Sequence, residues 1–121
     1  MTSPSEVRRR LAADRAETLD RLSGLERERA GIVAAAESAN SDDEHDPEGA
    51  TIAFEREHTA ALLDRARQHL SEIDAAQRRL DDGSYETCAA CGGPIAPDRL
   101  AARPTATTCI RCAARPTPNV R

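Results

Sequence analysis

The sequence predicts a mostly α-helical protein, in which a long antiparallel coiled-coil helical hairpin is followed by a small C-terminal module with four cysteines. Two stretches of similar length each carry a single narrow apolar stripe, as two paired helices would. The 121 residues include one Phe, one Tyr and no Trp, which is little material for a thick globular core. Charged residues make up 31% of the chain, which favours helices with most of their surface in water.

The first helix has a clear start signal. Ser3 suits the N-cap, Pro4 the first helical position, and Glu6 follows Ser3 at the spacing of a capping box. Together with Thr18, apolar residues then recur mostly at helical spacings: Val7, Leu11, Leu22, Leu25, Ile32 and Ala36. Residues 38–46 lose this periodicity and are predicted to form a loop.

A second start signal follows the predicted loop, with Asp46 as N-cap and Pro47 at the first helical position. The second stripe comprises Phe54, Leu62, Ala66, His69, Ile73, Ala76 and Leu80. The run from Asp81 to Ser84 is predicted to end this helix. Two narrow stripes of similar length predict a hairpin of roughly 50 Å. The alternative is a helix pair in a bundle completed by a second copy.

These signals divide the chain into three predicted parts. Residues 1–84 form the hairpin with an acidic tip loop near 38–50, residues 85–114 form the cysteine module, and residues 115–121 form a disordered tail. Residues 37–50 contain six acidic residues and no Arg, whereas residues 83–121 carry a charge of +3. The total charge of −4 argues against a general nucleic-acid binder.

The sequence also indicates the cellular compartment in which the protein is expected. No stretch approaches the roughly 20 apolar residues of a membrane span, and residues 1–30 lack the apolar core of a signal peptide. We therefore expect a cytoplasmic protein without membrane contact. Thiols stay reduced in the cytosol, so cysteines in close pairs favour a metal over disulfides there.

The cysteines follow the pattern Cys88-x₂-Cys91-x₁₇-Cys109-x₂-Cys112. Two such pairs can place four thiolates around one tetrahedral Zn²⁺ ion, and Gly92 and Gly93 relieve crowding where the backbone turns. A catalytic zinc ion keeps a position open for water, whereas four cysteines leave none. The pattern therefore predicts one structural zinc ion. A pair of redox-active motifs and an iron site are the alternatives.

The module closely resembles the zinc finger of the DksA/TraR family of bacterial RNA polymerase-binding regulators. The matching residues are Cys88, Cys91, Gly92, Ile95, Arg99, Leu100, Ala102, Arg103, Pro104, Thr105, Ala106, Cys109, Ile110 and Cys112. The resemblance extends more weakly over the preceding hairpin and its acidic tip. It implies a regulator that binds RNA polymerase core directly, without reading DNA sequence, and we expect a monomer because that state fits such binding. It also implies insertion of the coiled-coil tip into the secondary channel to modulate initiation.

The resemblance further implies that tip acids act near the polymerase active centre. The family motif Asp-x-x-Asp-x-Ala matches Asp43 and Asp46 in spacing, with Glu48 in the place of its Ala. In larger members the alarmone guanosine tetraphosphate enhances the effect. Here Pro116 and Pro118 shorten the helix that carries contacts to the alarmone, so no feature of the sequence supports its binding.

Two other classes of binding protein remain as alternatives: a zinc-stapled helical adaptor or oligomerisation module, and a nucleic-acid-binding zinc ribbon. An enzyme is not expected, because the sequence shows no Ser/His/Asp or Cys/His constellation and no phosphate loop. His45 and His58 are predicted to be exposed rather than ligands. The module arginines could contact polymerase or phosphate or serve a structural role; they are Arg99, Arg103 and Arg111.

Overall fold

The computed structural model describes residues 3–40 and 47–115, with side chains at 3–38 and 50–115. Four helices follow in order: α1 (Pro4–Asn40), α2 (Pro47–Asp82), α3 (Pro97–Ala102) and α4 (Ile110–Ala114). Within these ranges no strand forms, apart from an isolated bridge between Thr87 and Pro94. The predicted fold class, a long helical hairpin followed by a small four-cysteine module, is confirmed. None of the described helices combines the length and apolar character needed to cross a bilayer.

The N-terminus of α1 is held by the predicted capping box. The amide of Glu6 donates to the Ser3 hydroxyl at 3.2 Å, and the amide of Ser3 donates to the Glu6 carboxylate at 3.0 Å. The two residues thus satisfy backbone donors that the helix itself leaves without partners.

The C-terminus of α2 ends where the sequence predicts. Gly83 has a φ of 85°, a left-handed conformation that side chains disfavour. The amide of Ser84 can then donate to the carbonyl of Arg79 at 3.0 Å, which closes a Schellman motif. The Asp82 carboxylate accepts from both the amide and the hydroxyl of Ser84, at 3.0 and 2.6 Å, and these bonds lower the pKa of Asp82.

The loop predicted between the two long helices begins later in the structure than the sequence indicates. The helix α1 continues through Ser38 to Asn40, whereas residues 38–46 were expected to form a loop. The loss of apolar periodicity removes the reason to bury a helix face but does not itself stop backbone hydrogen bonding. The start of α2 at Pro47 agrees with its N-terminal signal.

The chain divides into two compact units. The cysteine unit comprises Met1–Arg15 and Ser71–Arg121, and the hairpin unit comprises Ala16–Leu70. In the cysteine unit, the first turns of α1 pack against the last turns of α2 and against the module. Its buried cluster consists of Val7, Leu11, Ile73, Ala76, Tyr85, Cys88, Ile95, Leu100, Ala106 and Cys109.

Ion pairs define the antiparallel pairing within the cysteine unit. Arg8 pairs with Asp81 at 2.5 Å, and Arg15 pairs with Asp74 at 2.8 Å. The two ion pairs are seven residues apart along α1 and seven residues apart in the opposite direction along α2, so the two helices are antiparallel here. All four side chains are at least one third exposed, so these pairs define register more than they add stability.

The hairpin unit buries a smaller cluster formed by Leu22, Leu25, Leu63 and Ala66. Two threonines, Thr18 and Thr59, are also buried. The apolar spacing of α2 predicts that Phe54 lies on the buried stripe, but its side chain is 71% exposed. At 100° per residue, a position nine residues before Leu63 lies on the opposite face of α2. The buried face instead passes through Leu63 and Thr59.

Candidate zinc centre

The first pair of cysteines lies in a tight turn after α2. The amide of Gly92 donates to the carbonyl of Cys88 at 2.9 Å, and Gly92 has a φ of 76° that favours glycine. The amide of Cys88 donates in turn to the carbonyl of Gly93 at 2.7 Å. The amide of Gly93 points at the Cys91 sulfur, 3.4 Å away, as expected for a backbone that stabilises a thiolate.

The second pair is placed by the short helix α4. Cys109 is the N-cap of α4, and Cys112 lies within it. The amide of Ala113 donates to the carbonyl of Cys109 at 2.9 Å, which closes the helical turn that brings the two sulfurs to one side. The amide of Ala89 donates to the carbonyl of Thr107 at 2.8 Å and thereby joins the two turns.

The four sulfur atoms converge on one point. All four Sγ atoms lie within 4.8 Å of one another, and those of Cys91 and Cys109 are 3.9 Å apart. Bonds of about 2.3 Å to a tetrahedral zinc ion place sulfur atoms about 3.8 Å apart. A disulfide would bring two of them to about 2.05 Å, and none is formed. The cluster therefore has the size and the donor set of a zinc site.

Backbone amides adjust the ionisation of these thiols. Hydrogen bonds from the backbone at Cys109, and next from that at Cys91, lower the pKa of Cys88 to about 6. The backbone at Cys112 likewise lowers the pKa of Cys109. A hydrogen bond with Cys109 raises the pKa of Cys112 to about 12. Two sulfurs thus favour the thiolate form that binds metal, and a cation beside Cys112 would allow that thiol to ionise as well.

Arginines attach the loop before the second cysteine pair to its surroundings. Arg99 of α3 donates from Nε to the carbonyl of Thr108 at 2.8 Å, directly before Cys109. Arg79 of α2 donates from Nη2 to the carbonyl of Ala106 at 3.3 Å. These contacts give Arg99 a structural role, whereas the side chains of Arg103 and Arg111 are exposed.

Tyr85 joins the module to the helices. Its side chain is buried in the cluster of the cysteine unit, and its hydroxyl donates to the carbonyl of Pro104 at 2.7 Å. Burial raises the pKa of Tyr85. The sequence pattern alone does not predict this role for Tyr85; the signal that could have indicated it is that Tyr85 is the one aromatic residue of the module.

The raised pKa of Tyr85 leads to a testable pH dependence. Tyrosine ionises at about pH 10 in an unfolded chain, so the folded protein binds more protons above that pH. We expect stability to fall as the pH rises from about 10 through the folded pKa. Because the chain has one Tyr and no Trp, absorbance of tyrosinate reports this residue alone. Tyr85→Phe should abolish the signal and lower stability by about 1 kcal/mol. Titration of the folded protein at the ordinary value would contradict this account.

The remaining predicted site residues are not brought to this centre. Asp43, Asp46 and His45 lie outside the described residues, as does the side chain of Glu48. His58 is exposed on α2 and stacks on Phe54, with ring centroids 6.4 Å apart. Among the described residues, the four cysteines are the one group placed to hold a metal. The predicted disordered tail lies outside the described residues from position 116 onward.

Comparison with known proteins supports the same centre. The model of the prokaryotic dksA/traR C4-type zinc finger matches residues 83–118, which include all four cysteines. The RNA polymerase-binding transcription factor DksA of Caulobacter vibrioides is 50% identical over 52 residues. That alignment covers 43% of this chain and 37% of the Caulobacter protein. The uncharacterised protein YteA of Bacillus subtilis is 39% identical over 66 residues, which cover 54% of this chain and 28% of YteA.

The likeness to a solved structure extends beyond the cysteines. Transcription factor DksA2 from Pseudomonas aeruginosa matches with a TM-score of 0.75 and 30% sequence identity, over 91% of this chain and 79% of DksA2. A helical hairpin followed by a C4-type zinc finger is therefore the class of protein that the fold and the cysteine cluster define. The chain belongs to the DksA/TraR family. It spans little more than a third of the curated Caulobacter relative that it matches.

Proposed function

We propose that this protein is a cytoplasmic, monomeric regulator that binds RNA polymerase core directly and inserts its coiled-coil tip into the secondary channel to modulate initiation. The observation that carries the proposal is the match to DksA2 over 91% of the chain, because it includes the hairpin as well as the zinc finger. The curated relative from Caulobacter vibrioides is described as binding RNA polymerase. In this proposal the protein acts by binding and is not an enzyme.

Charge and aromatic content favour a protein partner over nucleic acid. The six acidic residues at 37–50 would repel a phosphate backbone, yet they suit basic groups or Mg²⁺ near a polymerase active centre. A nucleic-acid-binding ribbon needs exposed aromatic residues for base stacking. The single aromatic residue of this module is Tyr85, which is 6% exposed and already bonded to Pro104.

We further propose that Cys88, Cys91, Cys109 and Cys112 hold one structural zinc ion. The support is the convergence of the four Sγ atoms and the thiolate-stabilising amides around them. A bound zinc ion would cross-link the two cysteine turns and neutralise their thiolates. The residues of the module would then present a rigid surface beside the first turns of α1 and the last turns of α2, without taking part in chemistry.

The tip assignment is tested by charge-neutralising substitutions. We expect Asp43→Asn, Asp46→Asn and Glu48→Gln together to abolish the effect on initiation, because the tip acids act near the active centre. Stability should change by no more than about 0.5 kcal/mol, as is usual for surface positions, and Asn also serves as an N-cap. Transcription from a responsive promoter and thermal unfolding are the measurements.

The matched control is Glu55→Gln with Glu57→Gln, which removes charge from exposed positions of α2 outside the tip. It should leave the transcription effect intact. Binding of the wild-type protein to purified core enzyme, and its competition with another secondary-channel factor, test the partner and the docking site. Tight binding to duplex DNA at physiological salt without affinity for polymerase would refute the proposal. If the tip variant regulated normally, the acidic run would be no more than a spacer.

A further inference from the structure

The segment that leads into the second cysteine pair has no regular secondary structure. Residues 103–109 lie in neither a helix nor a strand, although Ala106 and Cys109 within this segment are buried. The carbonyl groups of buried backbone need hydrogen-bond partners, and here no helix or strand supplies them. The partners therefore have to come from other parts of the cysteine unit.

Three side chains donate hydrogen bonds to carbonyl groups of alternate residues in this segment. In order along the segment the bonds are Tyr85 to Pro104 at 2.7 Å, Arg79 to Ala106 at 3.3 Å and Arg99 to Thr108 at 2.8 Å. We call these three side chains the clamp. The amide of Ala89, in the turn of the first cysteine pair, donates to the intervening carbonyl of Thr107 at 2.8 Å. Four of the five carbonyls at 104–108 are thus bonded to groups outside the segment.

The donors of the clamp come from separate parts of the cysteine unit. Arg79 lies in the last turn of α2, Tyr85 follows that helix, and Arg99 belongs to α3. The Nε atom of Arg79 is buried and, among the described residues, has no hydrogen-bond partner. Burial of an N–H group without a partner costs free energy. The bond from Nη2 to Ala106 is the contact that offsets this cost, so Arg79 is placed to hold the segment.

The clamp acts on the residues directly before a proposed zinc ligand. Thr108, whose carbonyl accepts from Arg99, is followed by Cys109, the N-cap of α4. Small metal modules fold as they bind their ion, so a contact formed only in the folded module adds to the apparent metal affinity. We propose that the clamp positions Cys109 and Cys112 for zinc and thereby raises the zinc affinity of this protein. This inference rests on the zinc site proposed above.

The test is competition for Zn²⁺ between the full chain and a chromophoric chelator. Methionine resembles arginine in helix propensity but removes the donor and the charge. We expect Arg99→Met to weaken zinc binding by about tenfold, because its charge-assisted bond is short, and Arg79→Met by about threefold, because its bond is longer. The control is Arg103→Met, which removes the same charge from an exposed position of the module and should bind zinc as tightly as the wild type.

A second readout separates positioning from a general loss of stability. Cys109 and Cys112 follow the clamped segment, whereas the first pair is held by its own turn through Gly92 and Gly93. In the zinc-loaded protein, Arg99→Met should therefore speed alkylation of the second pair more than that of the first, which mass spectrometry of partly alkylated protein measures. Equal acceleration at all four cysteines would mean that Arg99 only stabilises the module, and would overturn the inference.

The outcomes distinguish this inference from the zinc site on which it rests. If the wild-type chain binds zinc and both clamp variants bind it as tightly as the control, the clamp inference is wrong and the zinc proposal stands. If the wild-type chain does not bind zinc, both are wrong. If Arg99→Met does not fold, Arg79→Met decides, because an unchanged zinc affinity of that variant refutes the clamp and a selective loss supports it.

Discussion

Metal chelation, or replacement of a proposed zinc ligand by Cys109→Ala, is expected to unfold the C-terminal module while most of the helical signal remains. Structural zinc contributes binding free energy on the order of 10 kcal/mol to small modules of this kind. The module has few apolar side chains with which to replace it. Its six residues in the buried cluster are Tyr85, Ile95, Leu100 and the small residues Ala106, Cys88 and Cys109.

The expected signals differ between the two parts of the chain. The helices α3 and α4 contribute 6 and 5 residues, against 37 and 36 in α1 and α2, so far-ultraviolet dichroism should fall only slightly. The environment of Tyr85 should change strongly, because this side chain is buried between module and helices. Arg103→Ala, at an exposed position of the module, is the control and should leave both signals unchanged. A metal-free protein with an unaltered tyrosine signal and an unaltered resistance of the module to protease would contradict the zinc assignment.

The second large effect is expected in the hairpin unit. Leu63→Ala should lower the free energy of unfolding by about 2–5 kcal/mol, because it opens a cavity in a cluster of four buried residues. Leu63 is 1% exposed, and the described part of the unit has no other large cluster to compensate for the loss. Denaturant unfolding followed by helical dichroism, with zinc present throughout, measures the change.

Leu19→Ala provides the matched control, since the same side chain is removed from a position that is 41% exposed. Its cost should remain below about 0.5 kcal/mol, which is usual for surface positions. Equal losses for the two variants would mean that Leu63 does not form the core of this unit. A loss confined to the module, with normal unfolding of the hairpin, would be equally incompatible with the described packing.

Much of the architecture could be predicted because its signals are local. The capping box of Ser3 and Glu6, Pro47 at the start of α2, and Gly83 at its end each act on backbone groups within one turn. The same is true of the cysteine pairs, whose spacing alone brings two sulfurs together. Such features depend on neighbours in the sequence, so a single sequence is sufficient to recognise them.

Other features could not be predicted because they depend on residues distant in the sequence. The apolar spacing predicts that Leu62 and Phe54 lie on the buried stripe of α2. Leu62 is only partly buried against the cluster, the adjacent Leu63 is fully buried, and Phe54 faces outward. More than one set of apolar residues along α2 has the spacing of a helix face. Only the position of the partner helix selects which face is buried. The tip acids Asp43, Asp46 and Glu48 stay a prediction, as do the domain boundaries.

The sequence by itself determined that two long helices precede a four-cysteine centre, because caps, turns and metal-ligand pairs are encoded over a few residues. Tertiary structure decided how that centre is attached. Val7 and Leu11 from the start of α1, and Ile73 and Ala76 from the end of α2, share one buried cluster with Cys88 and Cys109. Tertiary structure also left Phe54 in solvent. The physical reason is that apolar attraction is non-directional, so which surfaces are buried depends on the complete set of neighbours in space.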